Sequence, residues 1–243
     1  MGKILLLARR EISSYFVSPI AYVAMALYLA VAGLFFILAD FRPGGPAAMR
    51  SIFEMMMLIL VFILPIVTMR SLSEERRLGT LESLLTAPVT DAEVVLAKFL
   101  GCWAFYLAML APTLLYVVAL MAFSNPDLGP IASGYLGLIL LGGLYVAVGV
   151  MTSSFSASQI ISAVTAVIVL LVSALVLPWV GTAAPSTWLG IPWRSIILQA
   201  AIRSHYVDFT QGVVDLVHVI YFVALILFAL FFTVKVLESR RWR

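Results

Sequence analysis

"EERRLGTLESLLTAPVTDAE", residues 74–93, is an island of charge in a 243-residue chain that is 63% hydrophobic and only 11% charged. Seven of its twenty residues are ionisable: Glu74, Glu75, Arg76, Arg77, Glu82, Asp91 and Glu93. Leu78, Leu81, Leu84 and Leu85 are threaded among them at helical spacing. Gly79 and Thr80 stand where such a helix would start, and Pro88 lies just beyond an end at Ala87. A helix this short is not stable alone in water, so its leucines need a docking surface. Either the bilayer or another protein can supply one. Pure membrane anchoring favours Lys and Arg on the polar face, whereas this stretch mixes acids with bases, which favours a protein partner.

Around that island the composition sets the class. A mean hydropathy of +1.12 and 63% apolar residues lie well outside the ~45–50% apolar content of soluble domains. Several stretches approach the roughly 20 apolar residues that cross a bilayer core as helix. Inside lipid only helices or closed barrels satisfy the backbone, and continuous rather than alternating apolar runs indicate helices. The chain reads as an all-α polytopic membrane protein, a single transmembrane domain over residues 1–243. Six spans are expected at residues 20–39, 52–69, 99–123, 133–151, 160–180 and 214–236. Ser18-Pro19 offers an N-cap followed by proline at the first helical position. Ser51 with Glu54, Thr90 with Glu93 and Asp208 with Gln211 have, or resemble, capping-box spacing. Pro65, Pro112 and Pro178 should kink or end helices without abolishing spans.

Charge orients the bundle. Lys3, Arg9, Arg10, Arg70, Arg76, Arg77, Lys98, Lys235, Arg240, Arg241 and Arg243 fall on one side, and Arg42, Arg50, Arg194 and Arg203 on the other. By the positive-inside rule the richer side is cytoplasmic, which places both termini and the 70–93 loop in the cytosol. A net charge of +3 is no nucleic-acid signature, and no nucleic-acid partner is expected. "ILLLA" followed by "RRE" lacks the length and the small-residue site of a cleavable signal. The lone Cys102 excludes an intrachain disulfide and a cysteine metal cluster.

Within residues 1–17, Lys3, Arg9, Arg10, Ser13 and Ser14 share one helical arc, while Ile4, Ala8, Ile12, Tyr15 and Phe16 share the other. Leu6 breaks the polar arc and Glu11 stands at its border. The pattern reads as a basic amphipathic helix lying in the cytoplasmic interface of the bilayer; the plainer alternative is a charged flank that only sets topology. The third span, counted from Val94 to Phe123, is about 45 Å of helix at 1.5 Å per residue, longer than a ~30 Å core. It should begin below the membrane in rigid continuation of the charged loop. "TSSFSASQ" (152–159) is an uncharged cytoplasmic turn, and "RPGGP" (42–46) a turn-rich outward linker. Residues 181–213 form an outer loop with Trp179, Trp188 and Trp193 near interface depth. Within it "WRSIILQAAIRSHYV" is too short to span and fits a re-entrant or surface helix.

Catalytic readings find little support. No H-E-x-x-H, no Gly-x-Ser-x-Gly elbow and no P-loop occurs, and none of the three lysines lies in a glycine-rich loop. Asp215 and His218, at i and i+3, could hydrogen-bond; a polar pair at the interface is the plain reading and a proton or metal role the sharper one. Asp40, Glu54 and Asp127 stand at outer helix ends, where charge is inexpensive. The spans lack the buried acids and arginines of an ion-coupled carrier. If the protein drives anything uphill, the energy enters from a separate subunit, and the charged loop is the surface to receive it.

At this point a family is recognisable. "SEERRLGTLESLLTAPVTDAEVVLAKFL" (73–100) resembles the signature of ABC-2-type transporter permeases: an acidic-basic run (Glu74 to Arg77), Gly79-Thr80-Leu81-Glu82, Leu84-Leu85, Pro88, and Lys98 entering the third span. The likeness extends to the N-terminal amphipathic helix, the six spans, "SSFSASQ" and the outer loop. "SHYVDFTQGVVDLVHVIYF" (204–222) is similar to the gliding-motility-type and nitrous-oxide-reductase-maturation-type permeases of that family.

The resemblance implies a permease subunit of an exporter in the bacterial cytoplasmic (inner) membrane, not itself an enzyme. Residues 79–85 would be a coupling helix docked in a cytosolic ATPase subunit, with Glu82 meeting its polar groups. Glu74 to Arg77 would pair with that subunit or with the N-terminal helix. ATP and magnesium would be held by the ATPase dimer and no cofactor by this chain. A second permease copy or paralogue would complete the unit, and a periplasmic or extracellular auxiliary subunit could sit on the outer loop. The cargo is unspecified, with a lean towards lipidic or amphipathic molecules. Two other readings stand beside this one: a force-transmitting membrane subunit acting on an envelope partner without moving solute, and an intramembrane hydrolase built on His218 and Asp215.

Overall fold

In the computed structural model, which describes residues 2–40, 48–79, 89–184 and 192–241, every regular element is a helix. The N-terminal helix α1 (Gly2–Val17) turns at Ser18 into α2 (Pro19–Phe35), which ends in a π-helical turn, Phe36–Asp40. Helix α3 (Arg50–Thr68) leads through a turn into the short α4 (Ser73–Arg77). The third span is α5 (Asp91–Leu110), a 3-10 turn (Ala111–Thr113) and α6 (Leu114–Phe123). Then come α7 (Leu128–Phe155) and α8 (Gln159–Leu171), the latter continued by a π turn and α9 (Leu177–Ala183). Two short helices, α10 (Trp193–Ala200) and α11 (Ile202–Thr210), precede α12 (Leu216–Arg241). Six of the resulting stretches are long and apolar enough to cross a membrane: Pro19–Asp40, Arg50–Arg77, Asp91–Phe123, Leu128–Phe155, Gln159–Ala183 and Leu216–Ser239.

The helix ends show which local signals prevailed. Ser18-Pro19 starts α2 as expected, though without a side-chain cap bond. Thr90 and Glu93 form a true capping box on α5, each side chain meeting the other's backbone N–H. The Ser51–Glu54 expectation is corrected: α3 begins at Arg50, and its Ile52 N–H donates instead to Asp40 at 2.8 Å. A carboxylate is a stronger acceptor than a hydroxyl and suits the positive end of a helix dipole. Asp208 and Gln211 start nothing, because Asp208 lies inside α11 and Gln211 closes it. Asp215 supplies the local cap of the last span, accepting from the Val217 N–H at 3.0 Å. Pro112 falls in the 3-10 break and Pro178 opens α9 after the π turn, while Pro65 stays inside α3. The third span is therefore longer at its start than expected but interrupted at mid-length, and the fifth runs on into what was read as outer loop. The 193–207 segment is two helices broken at Ala201 rather than one.

Packing sorts the spans into centre and rim. Some 78% of the apolar stretch of α7 is buried, against 22% for the fifth and sixth spans. Helix α7 touches α3, α5, α8, α11 and α12 and contains no charged residue. Between apolar helices in lipid the attraction is close packing rather than the hydrophobic effect, so small residues mark the contacts. A Cβ at Gly142 would collide with the Tyr106 ring of α5, and one at Gly149 with Thr68 of α3. The Tyr106 hydroxyl, seated over Gly142, donates to the Leu138 carbonyl at 2.8 Å. The large exposed apolar side chains of the rim, such as Leu27, Leu115, Ile168, Leu227 and Phe231, suit a lipid solvent. Residues 80–88, 41–47 with the expected 42–46 linker, Trp188 and Arg243 lie outside the described residues. Replacing Gly142 by Ala should overpack the α5–α7 seam at a cost of about 1–3 kcal/mol. The thermal midpoint in detergent should fall by several degrees and recover partly in Gly142→Ala/Tyr106→Leu; an unchanged midpoint in the single variant contradicts the packing.

Candidate functional site

The charged island and the N-terminal helix meet on the first turns of α5. Helix α1 packs along α5, burying Ala8 and Tyr15 and half-burying Ile4, Glu11 and Ile12, while Arg9, Arg10, Ser13 and Ser14 stay exposed. Residues 2–17 thus form a helix with one packed and one exposed face, with a difference from the expected arcs. Glu11 belongs to the packed face rather than the border of the polar arc, Leu5 and Leu6 are exposed, and the part-exposed Phe16 meets the Phe105 ring edge-on at 5.6 Å. Tyr15 stacks on Phe105 with ring centroids 5.5 Å apart and shares a 2.9 Å hydrogen bond with the Cys102 thiol. Burial against α5 pushes the Tyr15 hydroxyl well above its ordinary range, so it stays protonated and neutral.

Glu11 is tolerated on that face because Lys98 is there to meet it. The Lys98 ammonium lies 2.6 Å from Glu11 of α1 and 2.5 Å from Glu75 of α4, and only 7% of its side chain is exposed. One cation therefore ties together three segments that are remote in sequence. Sequence reasoning named Glu75 and noted Lys98 but did not join them to Glu11. The available signal was an acid within an apolar arc and a lysine one turn inside a span.

Helix α4 carries the acidic-basic run in a single turn and a half. Gly79, with φ 69, ends it in the left-handed conformation that suits glycine. Leu78 belongs to that closing turn and is exposed. Arg76 donates to the Phe155 carbonyl at 2.6 Å, on the negative end of α7, which ties α4 to the central helix as well. Arg77 is exposed. A cleft of about 330 Å³ opens between α1, α4 and α5, lined among others by Arg10, Glu11, Ser14, Arg70, Glu74 and Lys98. Thr80, Leu81, Glu82, Leu84 and Leu85, with the side chain of Lys3, lie outside the described residues.

Against this frame the family is decided by a direct match. The sequence profile of the ABC-2 family transporter proteins fits residues 39–237. The chain belongs to that family. It is the permease type of subunit, a multi-pass membrane protein, and permeases of this kind generally pair with a separate ATPase. The "Probable multidrug ABC transporter permease YbhR" of Escherichia coli (strain K12) is 30% identical over 94 residues, covering 39% of this chain and 25% of that protein. Its counterpart in Escherichia coli O157:H7 matches at the same figures. The chain thus spans about a quarter of the length of the curated relatives it matches.

At the opposite end of the permease, tertiary contacts replace the pairs that local spacing suggests. Asp215 caps α12, and His218 pairs not with it but with Asp208 at 2.7 Å and with His205 at 2.7 Å. Glu54 meets Arg203 at 2.9 Å and Arg50 at 3.6 Å. Among the described residues no group of three or more His, Cys, Asp or Glu side chains is arranged to hold a metal ion.

Removing one partner of a buried ion pair costs about 3–5 kcal/mol, because the other charge is left stranded. Lys98→Met should therefore lower the thermal midpoint sharply, and Lys98→Met/Glu11→Gln/Glu75→Gln should restore most of it. Equal losses in both variants would show that Lys98 acts through bulk rather than charge.

Proposed function

We propose that this permease is one half of an exporter whose ATP is hydrolysed by a separate cytosolic ATPase docking at the charged end of the bundle. In this reading that end faces the cytosol, as the distribution of Lys and Arg indicates. The residues from Gly79 to Leu85 form the coupling helix, beginning after the left-handed Gly79, with Leu81, Leu84 and Leu85 seated in the ATPase and Glu82 on its polar groups. The exposed Arg77, with the exposed Arg9 and Arg10 of α1, adds basic surface for the same subunit or for lipid headgroups.

The observation that carries this reading is the Lys98 junction. Helix α4, which in this reading leads into the coupling helix, is in direct ionic contact with α5 and, through Lys98, linked to Glu11 of α1. A push on residues 79–85 then enters the third span at its first turns. The 3-10 break at Ala111–Thr113 gives the span a place to bend before its far half. Arg76 passes part of the same load to the C-terminal end of α7. An ATPase dimer would act on two such permeases at once, this one and a copy or paralogue, and the pathway would lie between them.

The cargo class that fits best is amphipathic or lipidic. The multidrug designation belongs to YbhR, and the apolar, sparsely charged bundle here is consistent with cargo of that character. The likeness of residues 204–222 to the gliding-motility-type and nitrous-oxide-reductase-maturation-type permeases points to a specialised task, with an outer-side auxiliary subunit at the α10–α11 segment.

The test is to co-express the permease with its ATPase. Leu81→Pro breaks the coupling helix, and Glu82→Lys reverses its charge. Each should abolish co-purification or reduce permease-stimulated ATP turnover to the level of the ATPase alone, with the fold of the permease intact by size exclusion. Wild-type co-purification and turnover in both variants would overturn the docking assignment.

A further inference from the structure

The imidazoles of His205 and His218 face each other at the end of the molecule remote from Lys98, and their hydrogen-bond chemistry counts protons. Their Nδ1 atoms are 2.7 Å apart. His205 Nε2 lies 2.8 Å from the Gln199 carbonyl oxygen, which can only accept. His218 Nε2 lies 2.7 Å from an Asp208 carboxylate oxygen, which as an anion also only accepts. Both Nε2 atoms must therefore carry hydrogen, and the Nδ1–Nδ1 contact needs one proton between two lone pairs. The four ring nitrogens hold three protons. On this count, with Asp208 ionised, the pair carries one positive charge and Asp208 balances it.

With Asp208 ionised, no other proton count on the rings fits this geometry. With four, two N–H groups confront each other and two imidazoliums repel. With two, both Nδ1 lone pairs confront each other across 2.7 Å, or one Nε2 faces its acceptor bare.

The pair is built into a seat for α10. His205 is 9% exposed, and Tyr221 of α12 stacks on its ring at 3.8 Å while donating to the Ala200 carbonyl at 2.9 Å. The two rings thus hold the last two carbonyls of α10, those of Gln199 and Ala200. Helix α10 buries none of its own residues, whereas α11 is stitched down independently. Tyr206 donates to the Phe53 carbonyl, Ser133 of α7 donates to the Phe209 carbonyl, and Arg203 pairs with Glu54 of α3. The remaining charged groups nearby are Asp215, which caps α12, Arg50 beside Glu54, and Arg194 at the far end of α10; α7 brings none.

We propose that His205 and His218 form a one-proton clasp that seats α10 on the bundle, and that gaining or losing a proton releases it. The seat is closed while one proton bridges the two Nδ1 atoms and opens when a second arrives or the first is lost. This device belongs to the permease's own fold and does not depend on the ATPase docking assignment.

The test uses the full chain in lipid nanodiscs, by hydrogen–deuterium exchange corrected for the intrinsic pH dependence of the exchange rate. Amides of α10 should pass through a maximum of protection as pH is scanned and lose about tenfold protection or more on each side, as expected for a lost charge-assisted bond. His205→Phe, which keeps the ring stack on Tyr221, should show low protection of α10 at every pH with α3 and α7 unchanged. Asp208→Asn removes the balancing charge and should shift the alkaline limb to lower pH. A flat wild-type profile, or a His205→Phe profile with the same pH dependence as wild type, overturns the proposal.

Discussion

A single ammonium group, buried between three helices, organises the charged end of this permease. Stripping a cation of water is costly unless carboxylates replace the lost solvation at hydrogen-bond distance. Lys98 finds them on α1 and α4, at 2.6 and 2.5 Å. Its requirement works in both directions. Glu11 can occupy the packed face of an amphipathic helix only because Lys98 is opposite it, and α4 is held against the bundle by Glu75. Helix α1, the charged run and the third span are consequently joined as one ionic unit at the point where the proposed motive force arrives.

The rest of the bundle supplies what that unit pushes on. Helix α7, uncharged and glycine-rich, admits its neighbours closely enough for aromatic and hydroxyl side chains to sit on its backbone. Arg76 anchors the charged end to its last turn. Around this centre the first, fifth and sixth spans bury little of their apolar surface within the chain, leaving faces for lipid or for a second permease subunit. The far end is tied by different chemistry, with Asp40 capping α3, Glu54 gripping Arg203, and the two histidines holding the end of α10.

Much of this was legible in the sequence because it depends on local patterns. Apolar run length marks the six spans, and Thr90 with Glu93 marks the start of α5 by a cap whose partners are three residues apart. Pro112 marks the break in the third span, since proline removes a donor wherever the helix would place it. What stayed hidden was pairing at a distance. Ser51 and Glu54 looked like a capping box, but Asp40 brought a charged acceptor twelve residues back in sequence and Glu54 turned to Arg203 instead. Asp215 and His218 have the right spacing for each other, yet each found a better partner: a backbone N–H for the acid, and Asp208 with His205 for the base. Glu11, Glu75 and Lys98 share no local motif, and only the packing of α1 along α5 brings them together. The coupling segment itself, from Thr80 onward, rests on family resemblance.

The central claim is that the Lys98 junction moves as a body. Spin labels at the exposed positions Arg9 on α1 and Ala92 at the start of α5 would report it by pulsed electron resonance in the assembled complex with its ATPase, through nucleotide-free, ATP-bound and post-hydrolysis states. The account predicts that the Arg9–Ala92 distance stays fixed through the cycle while the distance from Ala92 to Ser239 on α12 changes. A shift or broadening of the Arg9–Ala92 distance on ATP binding would contradict it.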